Sequence, residues 1–151
     1  MSLFVDPGAV THGIQLAIAP VFLLTAVSGM ISAVAGRLAR IIDRARLLEE
    51  RLQASGGEDS VFAAKAYAEL ARLRRRGRLA NGAIGLLTLC AFMIGLTIIV
   101  LFLGETTVFQ AGRVAIFGFL AGVACFLLAL ACFLAETLLA AKLLNFGKAP
   151  Q

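Results

Sequence analysis

Residues 36–78 read GRLARIIDRARLLEERLQASGGEDSVFAAKAYAELARLRRRGR, and how this stretch folds decides the rest of the chain. Its apolar residues fall at Leu38, Ile41, Ala45, Leu48 and Leu52, the alternating three-and-four spacing of a coiled-coil seam. Ser55-Gly56-Gly57 interrupts the pattern, and Ala63, Ala66, Leu70, Leu73, Gly77 and Ala80 then repeat it. Two such helices joined by a short glycine turn fold back on each other as an antiparallel αα-hairpin. Arg40, Asp43, Arg44, Arg46, Glu49, Glu50 and Arg51 form the solvated face of the first helix. Local ion pairs are within reach there, Arg46 with Glu50 and Asp43 with Arg46, each contributing only about 0.2–0.5 kcal/mol. Glu58, Asp59 and Ser60 open the second helix, where acids suit the helix dipole.

On either side of this insert the composition changes. Hydrophobic residues make up 60% of the chain and mean hydropathy is +0.93, far above a soluble domain. The apolar residues gather in three blocks, read as spans at residues 13–35, 79–103 and 114–134. The fold class is therefore all-α integral membrane. Three transmembrane helices carry the hairpin of residues 36–78 between the first and second, and residues 1–151 form one domain. No helix stop separates span one from the insert, and none separates the insert from span two. Each pair reads as one continuous helix of roughly 40 residues, about 60 Å long. Pro20 should kink span one or break it locally. Asp6 and Pro7 suit a helix start, as N-cap and first helical residue. With His12, Asp6 also offers polar groups at an outer entrance.

Charge fixes the orientation. Residues 36–78 hold eleven of the fourteen Lys and Arg residues, and the loop before span three holds only Arg113. The positive-inside rule puts the insert and the C-terminus, with Lys142 and Lys148, in the cytoplasm and the N-terminus outside. In a bacterium the membrane is the inner one. The first basic residue is Arg37, so the charged start of a cleavable signal is missing and span one is expected to stay. Arg72, Arg74, Arg75, Arg76 and Arg78 crowd the last turns before span two, where they attract anionic lipid headgroups. Nothing in the pattern points to nucleic acid.

The spans carry little chemistry. No nucleophile–base set, paired carboxylates, phosphate loop or metal-ligand spacing is visible, so neither an enzyme nor a cofactor or metal is expected. Cys90, Cys125 and Cys132 read as small buried apolar residues. Glu136 lies near the inner interface and reads as a snorkelling group. Span one carries Thr25, Ser28, Gly29, Ser32 and Gly36 at three- and four-residue spacing, a stripe suited to close helix packing or to lining a water-filled path. Gly118 and Gly122 form a G-x-x-x-G packing pair in span three. These stripes imply a homo-oligomer. In the channel-like reading, Gln15, Thr25, Ser28 and Ser32 line the path, and Arg37, Arg40 and Arg44 ring its cytoplasmic mouth. The alternative is a scaffold whose basic hairpin binds a protein partner or anionic lipid.

Two runs carry a specific resemblance. Ile14 to Thr25, IQLAIAPVFLLT, and Gly36 to Arg46, GRLARIIDRAR, resemble the domain-of-unknown-function 2721 family of small bacterial membrane proteins. The resemblance covers nearly the whole chain and implies the three-span layout. It implies no activity and brings no catalytic or ligand residues. In layout alone the chain is similar to the smallest YidC-like insertases, whose groove often carries a basic residue within the membrane. No span here has one.

Overall fold

The computed structural model describes residues 7–54, 60–106 and 111–145, with side chains at 11–54, 61–104 and 112–141. The expectations for Asp6, Glu58, Asp59 and Lys148, and for the Lys142 side chain, lie outside the described residues. Three helices account for the described chain: α1 over Pro7–Ala54, α2 over Ser60–Thr106 and α3 over Ala111–Asn145. Pro7 heads α1 and Ser60 heads α2. Arg113, read as part of the loop before span three, lies inside α3.

The joins between spans and insert are helical. α1 has 48 residues and α2 has 47, longer than the roughly 40 expected from the sequence. At about 1.5 Å per residue, either helix is more than twice the ~30 Å of a hydrocarbon core, so each continues past the bilayer. α1 is unbroken at Pro20. Helices in membranes tolerate proline because neighbouring groups satisfy the carbonyl it frees. All three helices are long and apolar enough to cross a membrane. Their most apolar windows are only 22%, 22% and 17% buried, so most of that apolar surface faces out of the chain. Water would penalise such a surface, and lipid accommodates it. The protein is a multi-pass membrane protein.

Burial follows a seven-residue period. Along α1, Gly13, Pro20, Val27, Val34, Ile41 and Leu48 are buried, each seven residues from the next. Along α2 the series is Ala66, Leu73, Ala80, Leu87 and Ile94. Along α3 it is Ala115, Gly122, Ala129 and Glu136. A period of seven keeps one stripe of an α-helix turned toward its neighbours over many turns.

The chain forms two compact units. The first joins Met1–Ile31 to Gly85–Leu128. Here α2 and α3 approach closely at glycine. A Cβ on Gly118 would lie 2.8 Å from Thr97 Oγ1, and one on Gly122 would lie 2.8 Å from Ile94 Cδ1. Thr97 is itself held, since its hydroxyl donates to Met93 O at 2.8 Å. The G-x-x-x-G pair therefore lies against α2 of the same chain. Cys90 is buried and unbridged in this unit.

The second unit joins Ser32–Ile84 to Ala129–Gln151. Leu48, Ala66 and Leu70 form its apolar cluster, with Ala45 and Leu52 packed against it. A Cβ on Gly77 would lie 3.8 Å from Ile41 and 3.9 Å from Leu38. Leu38 and Ile41 lie against Gly77, and Leu48 lies with Ala66 and Leu70, so the two segments run antiparallel. All eleven apolar positions read from the sequence are buried or half-buried, while Ile42 and Leu47 are exposed. The exposed ion pairs cross between helices: Arg44 to Glu69 at 3.0 Å and Arg74 to Glu49 at 3.8 Å. Exposed pairs of this kind contribute about 0–1 kcal/mol each, so apolar packing does most of the joining.

The glycine contacts give a direct test. Gly118→Leu and Gly122→Leu should each destabilise the detergent-purified protein by about 1–3 kcal/mol or more through overpacking. Gly82→Leu, where a Cβ meets nothing within 4 Å, should stay within about 0.5 kcal/mol of wild type. Thermal melts that rank the three variants together would show that the close approach is not real.

Candidate functional site

The buried series of α3 ends on a charge. Ala115, Gly122 and Ala129 are small residues at successive seven-residue steps, and the next step is Glu136. The same period that turns the small residues inward turns this carboxylate inward, leaving it 1% exposed. An uncompensated carboxylate there would cost many kcal/mol, so its partners decide whether the site is stable.

Both carboxylate oxygens are engaged. Arg37 of α1 donates through Nη1 to Glu136 Oε2 at 2.7 Å. Arg76 of α2 donates to Oε1 through Nη2 at 2.7 Å and through Nε at 3.0 Å. These are short, charge-assisted bonds of the strong class. Arg37 Nη1 also donates to Thr137 Oγ1 at 2.7 Å, and the Thr137 hydroxyl donates to Phe133 O at 2.9 Å. The Arg37 guanidinium lies 5.1 Å from the centre of the Phe133 ring, a cation–π contact. Among the described residues, no buried side-chain nitrogen or oxygen lacks a hydrogen-bond partner.

One residue from each helix thus meets at a single carboxylate. The side chains of Arg37 and Arg76 keep 34% and 22% exposure, so both guanidiniums reach toward the surface while Glu136 does not. The cluster carries two positive charges and one negative. With both oxygens held, the carboxylate serves as a clamp on three helices. Among the described residues, no group of three His, Cys, Asp or Glu side chains is placed to hold a metal.

Glu136 does not snorkel, contrary to the expectation from its place in the sequence. Proximity to an interface sets only how far a side chain must reach, whereas its position in the helix repeat sets where it points. The 115–122–129–136 spacing was the available signal.

The other candidates separate into groups. Gln15, Thr25, Ser28 and Ser32 are all exposed on α1. Thr25 Oγ1 donates to Val21 O of its own helix at 3.3 Å. A Cβ on Gly29 or Gly36 would meet nothing within 4 Å, so this stripe is turned away from the chain's own helices. Of the three arginines read as a ring, Arg37 is held by Glu136, Arg44 pairs with Glu69, and Arg40 is exposed. In the second arginine cluster, Arg76 is also held by Glu136, while Arg72, Arg74, Arg75 and Arg78 are exposed.

A family model described as "Protein of unknown function (DUF2721)" matches residues 17–146. The chain therefore belongs to that family, and the match includes all three residues of the clamp. Among curated proteins and among solved structures, no match is found.

The clamp predicts a large penalty for losing its centre. Glu136→Gln leaves two guanidiniums facing a neutral amide and should cost about 3–5 kcal/mol. Glu50→Gln, on the exposed face of α1, should change stability by less than about 0.5 kcal/mol. Denaturation in mild detergent measures both, and equal small effects would contradict the clamp.

Proposed function

From the exposed stripe of α1, we propose that this chain self-associates through that stripe. The resulting homo-oligomer carries a narrow, weakly polar, channel-like path. The observation that supports this reading is the position of the small residues. Gln15, Gly29 and Gly36 are spaced in multiples of seven and share one line on α1, with Thr25 and Ser32 on an adjacent line. All five are exposed. A surface of Gly, Ser and Thr gains little from contact with lipid tails and much from a second helix packed close. Hydroxyl groups on such a contact also suit a path for water and ions.

The charge bias orients the assembly, with residues 36–78 in the cytoplasm, the N-terminus outside and the protein in a bacterial inner membrane. Residues 36–78 then form a cytoplasmic coiled-coil hairpin, and exposed Ile42 and Leu47 extend contacts between copies. Arg40 and Arg44 stand at the cytoplasmic mouth, and Arg37 is committed to Glu136. Such an assembly needs no catalytic residue and no cofactor. A second reading is favoured by the exposed Arg72, Arg74, Arg75 and Arg78. There the hairpin works as a scaffold, or as part of an insertase-like protein, that binds a protein partner or anionic lipid.

Cross-linking in native membranes tests the assembly. With Cys90, Cys125 and Cys132 replaced by Ala, Ser32→Cys should form disulfide-linked dimers under mild oxidation, and Phe92→Cys on α2 should not. Monomer alone at Ser32→Cys, together with a monomeric mass in mild detergent, would overturn self-association. Ion flux from purified oligomer in liposomes then tests the path. Cross-linked protein that passes no ions would remove the channel and leave the scaffold.

A further inference from the structure

The hairpin's arginines are not equivalent. Arg76 is spent on Glu136, and Arg74 faces Glu49 across the hairpin. Arg75 and Arg78 instead line a groove of about 540 Å³ whose other walls are Leu79, Ala135, Leu138 and Leu139. No acid lines it, and among the described residues neither Arg75 nor Arg78 has a carboxylate partner. All six residues belong to the second unit.

The groove follows from helix periodicity. Arg75, Arg78 and Leu79 are related by steps of three and four and share one face of α2. Ala135, Leu138 and Leu139 do the same on α3. Its level in the membrane can also be read. Arg78 is the last charged residue of α2 before Glu105, and no charged residue lies between Arg113 and Glu136 on α3. The two guanidiniums therefore stand where the apolar stretch of α2 begins, with apolar side chains beside them.

We propose that this groove is a binding site for one anionic phospholipid. The lipid phosphate sits between Arg75 and Arg78, and its glycerol and acyl carbons lie against Leu79, Ala135, Leu138 and Leu139. Guanidinium groups suit phosphate because their planar N–H donors match its oxygens in pairs. Two cations with no acid nearby favour a headgroup with net negative charge over a zwitterionic one. The apolar walls favour a lipid over free phosphate, which would leave four apolar residues without a partner. A basic pocket between helices at the membrane surface is a recognised form of lipid site. This goes beyond the self-association reading, because the groove is complete within one chain.

The test compares two ways of removing the same charge. Purified protein is mixed with detergent-solubilised phosphatidylglycerol, and bound lipid is measured by native mass spectrometry. Arg75→Gln with Arg78→Gln should weaken retention roughly thirtyfold, about two surface charges' worth. Arg72→Gln with Arg74→Gln removes as much charge outside the groove and should weaken it less than about threefold. Leu138→Gln keeps every arginine and should also weaken retention by about tenfold. Equal losses for the two double variants would replace the site with diffuse attraction. Undiminished binding by Leu138→Gln, phosphatidylcholine retained as well as phosphatidylglycerol, or displacement by millimolar inorganic phosphate would each overturn the lipid site. If the Arg75→Gln, Arg78→Gln protein fails to fold, Leu138→Gln and the two competitions still decide.

Discussion

A carboxylate at 1% exposure beside a membrane is tolerable only if other charges hold it, and Glu136 is held by two. That constraint organises the second unit. Arg37 must leave the exposed face of α1, Arg76 must leave the basic cluster of α2, and both must meet α3 at one level. Replacing such a cluster with apolar residues of similar volume is often neutral for stability, whereas removing one member is costly. What such a cluster can add is specificity of register. Apolar seams of Leu and Ala permit a helix to slip by a repeat, but a carboxylate between two guanidiniums fits in only one register.

Seven-residue periodicity supplies the frame in which that register is fixed. Leucine, isoleucine and alanine fill it in the second unit, from Ile41 and Leu48 to Ala66 and Leu73. Where α2 meets α3, Ile94 and Gly122 fill it against each other, with Gly118 close to Thr97 beside them. In water, large apolar residues are driven together; in lipid, which is as apolar as leucine, close backbone approach provides the attraction.

Most of the architecture was legible in the sequence because composition and period are local properties. The three apolar blocks gave the helices, the three-and-four spacing from Leu38 to Ala80 marked positions that are buried or half-buried, and the lack of a stop after Ala35 gave the continuous α1. The site was less legible because it depends on which residues meet across helices. Arg37 and Arg76 read as members of two positive clusters, and nothing in either run separates them from Arg40 or Arg75. Glu136 had a signal in its spacing from Ala115, but nearness to the interface suggested the opposite direction. Gly118 and Gly122 were recognisable as packing residues, and their partner was not.

The arginines of this chain thus divide into two sets. Arg37 and Arg76 lock the fold, and Arg75 and Arg78 stay available. The most direct measurement of the lock is a double-mutant cycle between Glu136 and Arg76, using Glu136→Gln, Arg76→Gln and both together. Each protein is unfolded in the same detergent. A lock of this kind predicts a coupling free energy of about 2 kcal/mol or more, because the second substitution removes a charge that the first has already stranded. Substitutions that add within about 0.5 kcal/mol would contradict it, and Glu136 would then be only one more residue at the end of α3.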